Sequence, residues 1–337
     1  MKVLVVGCGS IGRRHAGNAA RLAEVAVHDS APEAARDCAA ASGARTFARL
    51  DEALAWWPAA VVIATPHRSH LALAQQAIAA GAHVLIEKPL SDTLDGVAEF
   101  LDAADAAGRR AYVVCNMRFH PGPAALKRNI GLVGKPLFAR AHVGNYLPAM
   151  RPDRDYRTLY AARSAEGGGV VLDAIHEIDT LTWLLGEVES VCCQAARLDG
   201  LEIDVEDYAL LGLTHGSGAR SSATLDYLRR RKSRGCEIVG SDGVLAWLSA
   251  GKDPERCSVR LYRNGADSGK ALVDLASIDT AQPYRDLMAA FLAEIERPGS
   301  TVMLTARAAV ANLAVALAAH RSAAQMGAAV DPRGAHR

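Results

Sequence analysis

The chain has 337 residues, 50% of them hydrophobic and 22% charged, with a formal net charge of +1. That length can bury a large core and suggests two domains, and the charge balance excludes a global draw to nucleic acid or to an anionic membrane surface. No window reaches the roughly 18 uncharged apolar residues of a membrane span, and the first residues lack a signal-peptide pattern.

The seven cysteines (Cys8, Cys38, Cys115, Cys192, Cys193, Cys236 and Cys257) are odd in number and lack C-x-x-C pairs. With no matching histidine spacing, they argue against a zinc site and a disulfide framework. The expectation is a cytoplasmic protein with reduced thiols, no metal and neither nucleic acid nor membrane as partner.

Val3, Leu4, Val5 and Val6 form a short apolar run, the pattern of a strand buried on both faces. It enters Gly7, Gly9 and Gly12 at G-x-G-x-x-G spacing, and residues 13–22 are helix-compatible. Gly7 permits the tight turn, Gly9 has no side chain to block a pyrophosphate, and Gly12 lets helix and strand pack closely. The helix N-terminus then offers N–H groups and partial positive charge to phosphates. A second apolar segment, 25–27, ends at Asp29, where the motif wants a carboxylate for the ribose hydroxyls. A 2′-phosphate there would meet a like charge, and Ser30, Ala31 and Pro32 place no arginine directly after the acid, so NAD is expected rather than NADP. Arg13, Arg14 and Arg36 on neighbouring helices are the residues that could reverse that preference.

An alanine-rich helix over 32–41 carries Pro32 at its start, and 51–57 reads as a short helix with Asp51 near its cap. Residues 59–64 form the next buried strand. It ends in Thr65-Pro66, at the carboxyl edge where a doubly wound sheet lines its cofactor crevice. His67 and His70 follow, and either open a helix over 69–80 or lie near cofactor or substrate. The strand 83–86 delivers Glu87-Lys88-Pro89. A lysine facing that crevice is a poor choice for packing, and Pro89 keeps Lys88 out of the α region. A helix over 92–107 and a strand over 110–115 complete a β-α alternation without a long linker.

The second half changes period. Residues 138–146, 188–198, 208–214, 219–228, 236–239 and 258–262 read as strands of a mostly antiparallel sheet. Helices are expected over 284–295 and 306–326, and the last residues, 331–337, should fray. Between 146 and 168, Arg151, Arg154, Arg157 and Arg163 alternate with Tyr146, Tyr156 and Tyr160, a set that suits polyhydroxyl or acidic ligands. Asp153, Asp155 and Glu166 equally allow a self-paired surface loop. The basic run Arg229-Arg230-Arg231-Lys232, with Arg234, reads as a solvated hairpin turn or a contact for a nucleotide-sugar phosphate. In GGGVVLDAIHEID (167–179) the glycines break the loop and a helix follows to Leu185. On it Asp173 and His176 are three apart and can touch. A carboxylate beside an imidazole gives a general base suited to neutral pH, with Asp179 as the competing partner.

GCGSIG, TP with His70, EKP and Asn116-Met117-Arg118-Phe119 together resemble the glucose–fructose oxidoreductase and inositol dehydrogenase (Gfo/Idh/MocA) family over nearly the whole chain. The resemblance implies an α/β protein: an N-terminal Rossmann doubly wound parallel sheet (1–121) and a C-terminal α/β domain (122–337). The latter would bind substrate and carry a large, mostly antiparallel open sheet whose free face makes a homo-oligomer, dimer or tetramer.

It implies NAD held by Gly7, Gly9, Ser10, Ile11, Gly12, Asp29, Thr65, Pro66, His70, Glu87 and Lys88. Lys88, Asp173 and His176 would form the catalytic group, joined by Arg118, Tyr146, Arg157 and Tyr160 in binding substrate. Inositol dehydrogenase-like members space the aspartate and histidine four apart, whereas the gap here is three. The implied activity is hydride transfer between nicotinamide and a secondary hydroxyl of a sugar, sugar derivative or cyclitol, with LP…RP…DYR and LDAIHEID pointing to surface-sugar biosynthesis. Two alternatives stay open: a lyase or glycosidase-like enzyme that retains NAD through an internal redox cycle, and a non-catalytic dinucleotide-sensing regulator.

Overall fold

The computed structural model describes residues 1–251, 254–263, 268–299 and 302–336. The chain divides into two compact units, Met1–Asn116 with Ala281–Val310, and Met117–Thr280 with Ala311–Arg337.

The first unit begins with β1 (Lys2–Val6), buried from Val3 onward. The turn at Gly7 leads into α1 (Ser10–Ala19), then β2 (Glu24–His28), α2 (Pro32–Ser42), a two-residue edge strand β3 (Arg45–Thr46) and α3 (Leu50–Ala55). After these come β4 (Ala60–Ile63), α4 (His70–Ala79), β5 (His83–Ile86), α5 (Val97–Ala106) and β6 (Ala111–Val113). All six strands pair in parallel, in the order β6-β5-β4-β1-β2-β3. Order reverses between β1 and β4, and the carboxyl edge beside that switch point is where such sheets bind ligands. The strands are near-continuous apolar runs because helices cover both faces.

Two local expectations give way. The helix expected over 92–107 starts only at Val97, because Gly96 takes φ +74°. The Ser91 and Thr93 hydroxyls bond the N–H groups of Thr93 and Asp95, competing with a helical turn. The helix expected over 69–80 is entered through a 3-10 turn, His67–Ser69.

The second unit opens with α6 (Pro121–Asn129), followed by β7 (Pro136–Tyr146), α7 (Leu147–Met150), α8 (Val170–Asp173) and α9 (Ile175–Leu185). Then come β8 (Val188–Ala196), β9 (Tyr208–His215), β10 (Arg220–Asp226), β11 (Leu228–Gly240), β12 (Gly243–Ala250), β13 (Arg256–Tyr262) and β14 (Lys270–Leu275). The sheet runs β14-β13-β12-β11-β7-β10-β9-β8 and is antiparallel except between β7 and β10. Alternation is clear: Ala209, Leu211 and Leu213 of β9 and Ala139, Ala141 and Val143 of β7 are buried, while Phe138 and Leu210 on the opposite face are exposed.

The basic run expected as a hairpin turn is instead part of β11, where register against β7 shifts between Leu228 and Ser233. The strand tolerates it because partners offset the charge. Arg229 pairs with Asp226, Lys232 with Glu255 and Arg234 with Glu177, and Arg230 stacks 3.7 Å from the Tyr146 ring centroid.

The chain then returns to the first unit with α10 (Gln282–Glu296) and β15 (Leu304–Thr305), which adds antiparallel to β6. Leu287, Met288 and Phe291 form the buried face of α10. The last long helix is α11 (Ala306–Ala324). Just before the tail, Val330 bridges Val191 through two backbone bonds of 2.9 Å, and Pro332–His336 makes a 3-10 turn. Arg337 lies outside the described residues.

Candidate active site

In the first unit the glycine turn is shaped by close approach. A Cβ on Gly12 would lie 1.8 Å from the Gly7 carbonyl oxygen, whereas one on Gly9 would meet nothing within 4 Å. Gly12 therefore lets α1 touch β1, and Gly9 leaves the surface before α1 open to a ligand. Gly9 is also the N-cap and has no side chain to satisfy the first-turn N–H groups, with Ser10 exposed and Ile11 half-buried behind it. Those donors suit phosphate oxygens.

Asp29 is half-buried at the end of β2, its Oδ2 accepting the Cys8 N–H at 2.6 Å and its Oδ1 the Ala31 N–H at 2.8 Å. The carboxylate is thus tied to the glycine turn itself. The arginines that could favour a 2′-phosphate are engaged. Arg13 reaches the Cys8 carbonyl (3.2 Å) and Asp37 (3.3 Å), Arg36 lies 3.9 Å from Glu33, and Arg14 stacks on Tyr284 at 4.6 Å. The residues present fit NAD.

Along the carboxyl edge, Thr65 accepts the Ser69 hydroxyl at 2.7 Å, next to exposed Pro66. Lys88 is half-buried beyond β5, and its peptide to Pro89 is cis. Glu87 is buried. Burial works against its charged form, but the bond and charge of His15 and the Lys88 charge and N–H outweigh that and hold its pKa below the usual value. His70 is fully buried, which pushes its pKa down against two backbone carbonyls.

In the second unit, Gly169 takes φ +110°, and a Cβ there would lie 2.4 Å from Glu206 Oε1. Glu206 Oε1 in turn accepts the Val171 N–H at 3.1 Å. The single helix expected from this turn to Leu185 is two helices, broken at Ala174 (φ −92°, ψ 26°). Asp173 is the last residue of α8, and His176 lies in the first turn of α9, both half-buried. Asp173 Oδ1 accepts the Tyr160 hydroxyl at 2.7 Å. The Tyr227 hydroxyl, buried nearby, is pushed well above its usual pKa by burial and then by the charge of Asp173. Tyr160 is thus tied to Asp173 by its hydroxyl bond.

Asp179 and Arg118 have other commitments. Arg118 Nε and Nη2 donate to Asp179 Oδ2 and Oδ1 at 2.9 and 2.7 Å, and Asn312 Nδ2 adds a third bond at 2.8 Å. The guanidinium also lies 5.1 Å from the Trp183 ring. A fork held by a buried carboxylate is tied into an ion pair within this unit, so Arg118 meets any substrate with much of its charge already compensated. Arg157 is exposed and bonded to Asp155 and Glu202, the self-paired surface alternative. Tyr146 lies beneath Arg230. A second buried pair went unforeseen: Glu177, next to His176, bonds Arg234 at 2.6 and 3.1 Å. Glu177 looked like one more polar position on a helix face, and only the strand position of Arg234 reveals its partner. Among the described residues no group of three or more His, Cys, Asp or Glu side chains could hold a metal ion.

What the first unit is built to hold, by these contacts, is a dinucleotide with free ribose hydroxyls, and the chain is an NAD-dependent oxidoreductase of two-unit type. Residues 1–115 match the oxidoreductase family with an NAD-binding Rossmann fold, and residues 129–246 match its GFO/IDH/MocA C-terminal domain. The chain belongs to that Gfo/Idh/MocA family. It is 31% identical over 274 residues to 1,5-anhydro-D-fructose reductase of Ensifer adhaerens, spanning 79% of this chain and 77% of that one. Identity with inositol 2-dehydrogenase of Burkholderia lata is 29% over 287 residues, 81% and 80% of the two chains. Among solved structures, the WlbA dehydrogenase of Bordetella pertussis, in complex with NADH and UDP-GlcNAcA, superposes with a TM-score of 0.79 at 26% identity over 98% of each chain.

Proposed function

We propose that the protein moves hydride between NAD and a secondary hydroxyl of a sugar, sugar derivative or cyclitol. The observation that carries this reading is Lys88, a half-buried amine on the carboxyl edge of a sheet whose glycine turn and Asp29 fit NAD. NAD, when bound, accepts or returns the hydride. In the oxidative direction His176 takes the hydroxyl proton, Lys88 holds the same oxygen and stabilises the charge that develops on it, and Asp173, braced by Tyr160, orients His176. Thr65, Pro66, Ser10 and Ile11 belong to the cofactor surface.

The relatives named for inositol and anhydrofructose, and the neighbour holding a UDP-sugar acid, set the substrate range to be screened. Homo-oligomer formation through the outer face of the second sheet accounts for Phe138, Leu210 and Leu248, which are 41%, 38% and 48% exposed. Seven free thiols and the lack of a membrane-length apolar helix among the described residues support a cytoplasmic place of work.

The test is NAD reduction with inositols, uronic acids and UDP-sugars, then His176→Ala and Lys88→Ala on the substrate found. Each variant should lose about 10²–10⁴-fold in turnover. Near-normal turnover in both would sink the assignment.

A further inference from the structure

His70 and Glu87, expected against the cofactor, offer it almost no surface: His70 is fully buried and Glu87 is 7% exposed. Both ring nitrogens of His70 face backbone carbonyls instead. Nδ1 lies 2.9 Å from the Pro89 oxygen, and Nε2 lies 2.9 Å from the Thr65 oxygen. Glu87 accepts the Lys88 N–H on Oε2 at 3.1 Å, and its Oε1 lies 2.7 Å from Nε2 of His15, a fully buried residue of α1. Lys88 is therefore gripped along the backbone from both sides, by Glu87 before it and by His70 after it. His70 also ties that segment to the loop leaving β4, and His15 ties it to the helix that follows the glycine turn.

We propose that His70 is a positioning residue for Lys88. It fixes where the lysine leaves the backbone by locking the loops after β4 and β5 to each other, and it does not touch the ligand. A buried imidazole is a costly way merely to fill space, since an apolar side chain of similar size would carry no desolvation penalty. What it adds is one N–H donor, which the neutral ring gives to either the Pro89 or the Thr65 carbonyl, with its other edge packed against the second of two loops on the carboxyl edge. A displacement of about 1 Å at a reacting group costs on the order of 10²-fold in rate, so small slack here matters. The proposal rests on the reading of Lys88 as the group that holds the substrate oxygen.

The experiment uses the full-length enzyme with NAD, and myo-inositol and UDP-N-acetylglucosaminuronic acid as probe substrates. His70→Ala should lower turnover by roughly 10–100-fold while the NAD dissociation constant moves less than about threefold. His70→Asn, which keeps a donor, should recover part of the loss. On a Lys88→Ala background the His70→Ala change should add less than about twofold, because both act through one amine. Amide hydrogen exchange gives a readout independent of turnover: the Lys88 N–H, bonded to Glu87, should exchange about tenfold faster in His70→Ala and less so in His70→Asn.

Unchanged turnover in His70→Ala, or a loss that multiplies in full on the Lys88→Ala background, overturns the proposal, and so does unchanged exchange at Lys88. Normal turnover in Lys88→Ala alone would instead reject the catalytic reading of Lys88. In that case, or if neither probe is turned over, exchange at Lys88 decides the role of His70. If His70→Ala does not fold, His70→Asn carries the same comparisons.

Discussion

Removing Arg118 should damage the fold more than its place in a suspected ligand-binding stretch suggests. The Arg118 and Asp179 side chains are 10% and 3% exposed, and their contacts of 2.9 and 2.7 Å are bidentate. Opposite charges about 3 Å apart at an effective dielectric near 20 attract by roughly 5–6 kcal/mol. Much of that is offset by taking both ions out of water. Deleting one partner leaves the other buried charge with its desolvation cost and without its compensation, so Arg118→Ala should destabilise by about 3–5 kcal/mol. Asn312 still donates to Asp179, which favours the lower end of that range. The double variant Arg118→Met/Asp179→Leu abolishes both charges and should recover at least about 2 kcal/mol of the loss, because apolar replacement of a buried pair is often neutral or better. Urea unfolding of wild type, single and double variants measures this. A loss under about 1 kcal/mol for the single variant, or a double variant no more stable than the single, would refute the reading of a buried, stabilising ion pair.

Wild-type protein should bind NAD at least about tenfold more tightly than NADP, and Asp29→Ala should narrow that gap; calorimetric titration of both cofactors decides it. Equal binding in the wild type would mean that Arg13, Arg14 or Arg36 leaves its present partner for the phosphate. Burial opposes the charged form of Glu255, yet the nearby His120, 3.7 Å away, and bonds from Lys232 and Ser249 bring its pKa to about 2, against an ordinary 4.5. A depressed carboxyl pKa means stability that is complete above about pH 4.5 and lost as pH falls toward about 2. Glu255→Gln should therefore be less stable than wild type at pH 7 by about 3 kcal/mol, and the difference should shrink below about pH 4.5. A gap between the two that stays constant from pH 7 to pH 3 in thermal melts would contradict this. Gly12→Ala should abolish NAD binding and lower stability by about 1–3 kcal/mol, since the added methyl would meet the Gly7 carbonyl oxygen at 1.8 Å. Normal NAD affinity in that variant would argue that the turn relaxes freely.

The dinucleotide turn was legible from residues alone because its parts are neighbours in the chain. An apolar run, three spaced glycines and an acid after the next apolar run specify strand, turn, helix and ribose contact within the first 29 residues. Lys88 stood out for the same local reason, a charged residue where β5 should end. The tilt toward an antiparallel second sheet followed from alternation along single strands, which needs no knowledge of the partner strand.

Which polar group meets which was settled only by the tertiary structure. Arg118 and Asp179 lie 61 residues apart, and no periodicity relates them. Competition between Asp173 and Asp179 for His176 was undecidable on one continuous helix. The break at Ala174, and the capture of Asp179 by Arg118 and Asn312, change the terms of that choice. The basic run reads as a turn from its charge alone, and becomes part of a strand because Glu177 and Glu255 wait opposite it. His70 likewise sits on a helix whose pattern says which face is buried, but not that both ring nitrogens would meet carbonyls of two different loops. Periodicity reports the side of an element that leaves water. The partner on that side comes from distant chain, brought there by strand pairing and packing that depend on the whole fold.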